Sequence, residues 1–331
     1  MESISELIGK ARAAQAEFEK TATQESVDAI VKAIAKVIYD NADPLAKMAA
    51  EESGMGVYED KINKNKGKAR VIWNFLKDKK SVGVINRDEK TCITEVARPM
   101  GVIAAITPCT NPIVTPMCNA MYAIKGRNAI IIAPHPRAKK CAKVVTDLFR
   151  KEIEKQGAPA DLVLLVEEPS TALSAELMSK CDVVVATGGM GMVKAAYSSG
   201  KPAYGVGAGN VQCIIDRGVN YAEAAPKIIE GRRFDNGIIC SGEQTIILPK
   251  EDYAEIIEIF VKNGCAYIEK PEDVEKLKKT LFTITETGGF AMNKNLVGQS
   301  AVKVAETAGI TVPADTKVLL VKADCCGRGD C

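Results

Sequence analysis

Residues 101–134 read GVIAAITPCTNPIVTPMCNAMYAIKGRNAIIIAP. GVIAAITP (101–108) and NAIIIAP (128–134) are short and apolar almost throughout, as expected of strands covered on both faces, and a helical pattern near 115–125 lies between them. The alternation continues outward. A helix is predicted at 139–157, a strand at 161–167 (DLVLLVE), a helix at 171–180, a strand at 181–189 (CDVVVATGG) and a helix at 191–200. This βαβ repetition predicts a parallel sheet with its ligand loops at the carboxyl ends of the strands. A second α/β unit begins at Cys240, with TIILP (245–249), helices near 253–262, 271–281 and 301–308, and KVLLVK (317–322).

Upstream, the first eighty residues are helical in pattern, with Ile4, Leu7, Ile8, Ala11 and Phe18 on one stripe. Such a stripe ordinarily covers the protein's own core; the alternative is a tag that docks on a partner or shell. Between Lys61 and Lys80 lie eight basic residues and one acid, Asp78. That run reads as a solvated helix face, with contact to nucleotide or CoA phosphates as the alternative. SVGVINRD (81–88) and TCITEVARP (91–99) read as a hairpin.

The chain has 331 residues, 47% apolar and 26% charged, enough for two domains of ordinary size. Lys plus Arg number 44 and Asp plus Glu 42, a net charge of +2 that supplies no general field for nucleic acid or an anionic membrane. No segment reads as a membrane span or signal peptide, so a cytoplasmic small-molecule protein is expected. Eight of the eleven cysteines are scattered singly without CxxC pairing and read as reduced thiols. The tail CCGRGDC (325–331) reads as non-native or altered sequence. No metal site is expected, because the only histidine, His135, lies far from that tail.

One cysteine stands apart. FDNGIICSGEQ (234–244) sets Cys240 in a turn of small residues ahead of an apolar strand, where a thiol can be held at the edge of a cleft. The segment resembles the nucleophile region of the aldehyde dehydrogenase superfamily, in particular its CoA-acylating branch. The likeness runs from about residue 7 to about residue 321, and KAAYSSGKPAYGVGAGN (194–210) is part of it.

The resemblance implies an α/β, aldehyde dehydrogenase-like fold. A Rossmann-type NAD(P)-binding domain at 1–231, carrying N-terminal helices and an oligomerisation-type hairpin near 81–98, precedes a partial catalytic domain at 232–331. It implies that Cys240 is the nucleophile and that Asn111, in TPCTNP (107–112), donates its amide to the thiohemiacetal oxygen. Nucleotide-binding residues carried over are Thr107, Pro108 and Thr110; Pro134, His135, Pro136 and Arg137; Thr187, Gly188 and Gly189; and Val206 and Gly207. NAD is the expected cofactor, with NADP left open because Arg137 suits a 2′-phosphate, and CoA is the co-substrate. The expected partners are a small aldehyde, further copies of the chain and a metabolic assembly or microcompartment.

GVGAGN (205–210) selects the branch. Hydrolytic members carry a glutamate at the start of this segment to activate water, whereas no carboxylate lies between Tyr204 and Gln212 here. A thiol acceptor is a few per cent thiolate near neutral pH and needs no such base. The expected reaction is aldehyde plus CoA plus NAD to acyl-CoA plus NADH, with acetaldehyde as substrate. An anionic aldehyde such as sulfoacetaldehyde, met by Arg232 and Arg233, and a non-catalytic nucleotide-binding or assembly fragment are the alternatives. For that arginine pair, plain solvent contact is the ordinary reading. Family members continue through an acidic motif resembling EKLSP to a C-terminal oligomerisation strand. The chain is expected to lack both, leaving the catalytic domain incomplete.

Overall fold

The apolar runs form a five-stranded, wholly parallel sheet in the computed structural model, which describes residues 2–284 and 289–323. The tail at 325–331 lies outside the described residues. The chain divides into two compact units, 1–54 with 58–208, and 55–57 with 209 onward.

In the first unit, α1 (Ile4–Thr21), α2 (Gln24–Asp40), α3 (Ala42–Ser53) and α4 (Tyr58–Leu76) precede the hairpin β1 (Val84–Asp88) and β2 (Ile93–Val96). Then come β3 (Val102–Thr107), α5 (Val114–Lys125), β4 (Ala129–Pro134), α6 (Lys139–Lys155), β5 (Val163–Leu165), α7 (Thr171–Lys180), β6 (Val183–Thr187), α8 (Met190–Tyr197) and β7 (Ala203–Val206). The sheet order is β5-β4-β3-β6-β7. β4 is buried at every position, whereas β7 alternates in exposure as an edge strand does. The chain steps one way from β3 to β5 and then returns past β3 to β6 and β7. Right-handed crossovers therefore put α5 and α6 on one face and α7 and α8 on the other.

The N-terminal stripe covers the protein's own core. Ile4, Leu7, Ile8, Ala11 and Phe18 are all buried, and α1 packs on β4 and α7. A reciprocal Ser3–Glu6 capping box starts that helix. Arg12 extends from it to Asp182, whose second carboxylate oxygen accepts from the Val102 N–H at 2.8 Å. This ion pair joins the first helix to the start of the central strand. α2 lies over α5 and α6, with Lys125 of α5 paired to Asp28 of α2. Among the described residues, no helix is long and apolar enough to cross a membrane.

The second unit contains β8 (Val211–Ile214), α9 (Tyr221–Arg233), β9 (Glu243–Ile247), α10 (Tyr253–Lys262), β10 (Cys265–Ile268), α11 (Pro271–Leu281), β11 (Phe282–Ile284), β12 (Phe290–Met292), α12 (Ala301–Thr307) and β13 (Val318–Val321). β8 pairs with β9 and β10 with β13, both in parallel, and β11 with β12 in antiparallel. The compact units part at 208/209, whereas the resemblance placed the expected domain boundary at 231/232. β8 belongs with β9, and α9 packs on α10 through Ala225, Ile228 and Ile229 in one core with Ile256 and Phe260.

Candidate active site

β4, β3, β6 and β7 are neighbours, so the segments leaving their carboxyl ends line one edge of the sheet. The first unit therefore brings together the four sequence-predicted groups, 107–111, 134–137, 187–189 and 206–207. The order in which strands are added to the sheet reverses between β3 and β6, the place where sheets of this kind open a ligand crevice.

Backbone hydrogen bonds fix this edge. The Thr107 carbonyl accepts from the His135 N–H at 2.9 Å, and the Val206 carbonyl from the Gly188 N–H at 3.0 Å. His135 Nδ1 accepts from the Arg137 N–H at 3.1 Å, an arrangement that leaves the ring proton on Nε2. The Arg137 guanidinium donates to the Ser53 carbonyl at the end of α3, at 2.6 Å.

The glycines at this edge fall into two kinds. A Cβ on Gly205 would lie 2.7 Å from Tyr197 and Val193, so packing of α8 on β7 excludes a side chain there, whereas one on Gly207 would meet only the sulfur of exposed Met190, at 2.8 Å, which can swing aside. Gly189 has an ordinary φ of −66° and nothing within 4 Å of its Cβ position. Neither conformation nor packing demands glycine at 189. The space is open for a ligand to approach the backbone at the start of α8.

Asn111 is half-buried. Its carbonyl accepts from the Thr115 N–H at 3.2 Å, while its side-chain amide makes no hydrogen bond among the described residues. It lines a small cavity with Lys61, Lys64 and Asn65 of α4. Here the structure departs from the solvated-face reading of the basic run. Lys61 and Lys64 are only 2% and 7% exposed, because that side of α4 packs toward α2, α3 and α5. Charge counts along the chain gave no signal of this burial.

The second unit holds the thiol. α9 runs into FDNG, where Asp235, Asn236 and Gly237 take φ of 53°, 52° and 70°, three left-handed residues in succession. Each non-glycine residue in that region costs about 1–2 kcal/mol, least for Asp and Asn, so the turn needs support from outside. Asp235 is fully buried and accepts from the Val57 N–H at 2.8 Å. The Asn236 amide donates to the Gly298 carbonyl at 2.9 Å, and Arg232 Nη1 approaches the Gly237 carbonyl at 3.4 Å. Arg232 is therefore not the solvated residue expected. Burial pulls its pKa down, against the attraction of Glu243, while Arg233 stays outside and pairs with Glu230.

Cys240 follows in the next turn and is exposed. A Cβ on Gly209 would fall 2.9 Å from the Cys240 carbonyl carbon and closer still to its oxygen, so no side chain fits at 209. The cause is the β8–β9 pairing. Val211 is in register with Glu243, and the residues just ahead of the two strands lie side by side. The second half of GVGAGN thereby runs against the backbone of Cys240, and it carries no carboxylate. Among the eight described cysteines, only Cys240 and Cys92 are exposed. Burial raises the thiols of Cys118 and Cys265 to about 11 and shifts Cys109, Cys141, Cys181 and Cys213 upward as well.

The aldehyde dehydrogenase family model matches residues 1–274. The chain is 52% identical over 328 residues to succinate-semialdehyde dehydrogenase (acetylating) of Clostridium kluyveri, covering 99% of this chain and 71% of that protein. The acetylating aldehyde dehydrogenase of Geobacillus thermoglucosidasius superimposes with a TM-score of 0.92 at 38% identity, covering 99% of this chain and 71% of that one. Propionaldehyde dehydrogenase of Rhodopseudomonas palustris, solved with bound CoA and an acylated cysteine, gives 0.82 at 32% identity over 97% of this chain and 72% of that one. The parallel sheet, the exposed thiol turn and these likenesses agree: the chain belongs to the aldehyde dehydrogenase family, in its acylating branch.

Proposed function

We propose that the protein interconverts an aldehyde, CoA and NAD with acyl-CoA, NADH and a proton, with Cys240 as the nucleophile. The Cys240 thiolate adds to the aldehyde carbon, and the carbonyl electron pair moves onto oxygen. Asn111 and the Cys240 backbone N–H are the donors assigned to that oxygen; preorganised donors of this kind are worth about 3–4 kcal/mol of barrier. Collapse of the oxyanion expels hydride and leaves a thioester on Cys240. The CoA thiolate then adds at the same carbon, and Cys240 departs as thiolate. The first unit's edge fits a nicotinamide dinucleotide, which supplies the hydride acceptor. Gly188 and Gly189 would take the pyrophosphate, and Thr107, Pro108, Thr110, Thr187, Val206, Gly207 and 134–137 would hold the rest of the dinucleotide. Arg137 already bonds the Ser53 carbonyl, which favours NAD over NADP.

The observation that carries this reading is the exposed Cys240 turn with the carboxylate-free backbone of Gly209 against it. Replacing Cys240 by Ser should abolish CoA-dependent NADH formation while NAD still quenches or shifts Trp73 fluorescence; an unimpaired rate removes the assignment.

Acetaldehyde is the substrate implied by resemblance. The 52% identity to a succinate-semialdehyde enzyme favours, as a second reading, a short aldehyde ending in a carboxylate. Rates on acetaldehyde, succinate semialdehyde and sulfoacetaldehyde, each with and without CoA and with NAD or NADP, separate these. The protein is assigned to the cytoplasm and to a homo-oligomer. Val84, Ile93 and Val96 of the β1–β2 hairpin are exposed, and a charged residue at Ile93 should lower the mass seen in light scattering. An unchanged mass removes the hairpin from the assembly.

A further inference from the structure

Three separate stretches of chain meet beneath the nucleophile turn. The Gly298 carbonyl accepts from the Asn236 side-chain amide at 2.9 Å and from the Gly56 N–H at 2.8 Å. One oxygen thus uses both lone pairs to join Gly56, far back in the chain, to the turn that carries the thiol. Val57, next to Gly56, donates its N–H to buried Asp235 at 2.8 Å. Gly298 has a φ of +76°, and a Cβ there would lie 2.8 Å from the Met55 Cβ, 2.9 Å from the Ile238 side chain and 3.1 Å from the Gly56 nitrogen. The contact is close on every side, and only glycine supplies it.

The turn itself supplies little support. Asp235, Asn236 and Gly237 are all left-handed, and the hydrogen bonds inside the segment are long, from the Ile238 N–H to the Asp235 carbonyl at 3.3 Å and from the Gly242 N–H to the Ile239 carbonyl at 3.2 Å. The shorter bonds come from outside it.

We infer that Asn236 and Gly298 are positioning residues for Cys240: their hydrogen bond, braced by Gly56 and Val57, holds the left-handed turn that fixes where the thiol points. This deepens the catalytic reading above and, for its effect on turnover, rests on it. Asn236 touches no substrate; it acts through the backbone between 236 and 240.

The test is Asn236→Asp in the full chain, which keeps size and left-handed tolerance but removes the donor. Hydrogen–deuterium exchange of the peptide spanning 234–244 should rise at least fivefold, with peptides from α10 and β10 unchanged. The kcat for CoA-dependent NADH formation should fall at least tenfold, with KM for NAD within twofold of the parent. Gly298→Ala, acting from the acceptor's side, should raise exchange in the same peptide. Unchanged exchange at 234–244 overturns the inference, and so does a rise spread across the whole unit, or a raised local exchange with kcat within twofold of the parent. If the parent itself forms no NADH, the catalytic reading fails, and the confined rise in exchange still decides whether the bond holds the turn.

Discussion

Gly209→Ala adds a single methyl group, and the structure says where it goes. The new carbon would sit 2.9 Å from the Cys240 carbonyl carbon, whereas nonbonded carbons settle at about 3.5–4.0 Å. The two backbones must therefore separate by roughly 0.6–1.1 Å to clear the carbon, and the carbonyl oxygen, which lies closer, demands at least that much. β8 and β9 are paired from Val211 and Glu243 onward, so the strain is relieved in the residues ahead of them, which carry the thiol. A misplacement of about 1 Å costs on the order of 100-fold in rate. That equals about 2.7 kcal/mol of lost transition-state stabilisation at 1.36 kcal/mol per tenfold. The assay is NADH formation with saturating aldehyde and CoA, alongside a thermal melt and an NAD titration. The expected result is a kcat lower by about two orders of magnitude, with NAD affinity unchanged because the residues proposed for the nucleotide belong to the other unit. A Gly209→Ala enzyme whose kcat stays within about threefold of the parent would refute the close-approach argument.

Three further outcomes are expected. Gly189→Ala meets no atom within 4 Å and suits the local φ, so the melting temperature should hold while NAD binding weakens by about tenfold or more; unchanged affinity would remove 188–189 from the nucleotide site. Asn111→Ala should lower kcat by about 100- to 1,000-fold with little change in KM, and a KM effect alone would deny it the oxyanion role. Burial raises the Asp182 carboxyl, but Arg12, the Val102 N–H and Lys201 together outweigh it and hold its pKa below the ordinary value. A depressed acid contributes stability above the unfolded pKa of about 3.9 and loses it as pH falls from there toward the folded value. The stability gap between the parent and Asp182→Asn, measured by urea titration, should therefore be full near neutrality and shrink below about pH 4. A gap independent of pH would contradict this.

The sheet was legible because β3, β4 and β6 are apolar at nearly every position, a pattern that only doubly covered strands require. Three of the four candidate loops followed, since each begins where such a run stops; 206–207 came from the resemblance carried by GVGAGN. β7 (AYGV) and β8 (VQCI) were not predicted as strands; each has four residues and only half-buried sides, too weak a period to mark a strand. That concealed the pairing of β8 with β9, and with it the division into compact units at 208/209 and the contact of Gly209 with Cys240. The left-handed run at 235–237 was equally hidden, because Asp and Asn adopt that conformation only occasionally, and the groups that stabilise it here, Val57 and Gly298, are distant in sequence. Burial of Lys61 and Lys64, and partial burial of Arg232, depend on tertiary packing that a count of charges along the chain does not contain.

Incubating the protein with an acyl-CoA in the absence of NADH and mapping the acyl group by peptide mass spectrometry under mildly acidic quench tests the central claim most directly. The account predicts one hydroxylamine-labile acyl group, on the peptide spanning 234–244 and at Cys240, lost in Cys240→Ser and discharged when CoA or NADH is added. Acylation spread over Cys92 and other thiols, or an unmodified Cys240 in protein that forms NADH at the full rate, would contradict it.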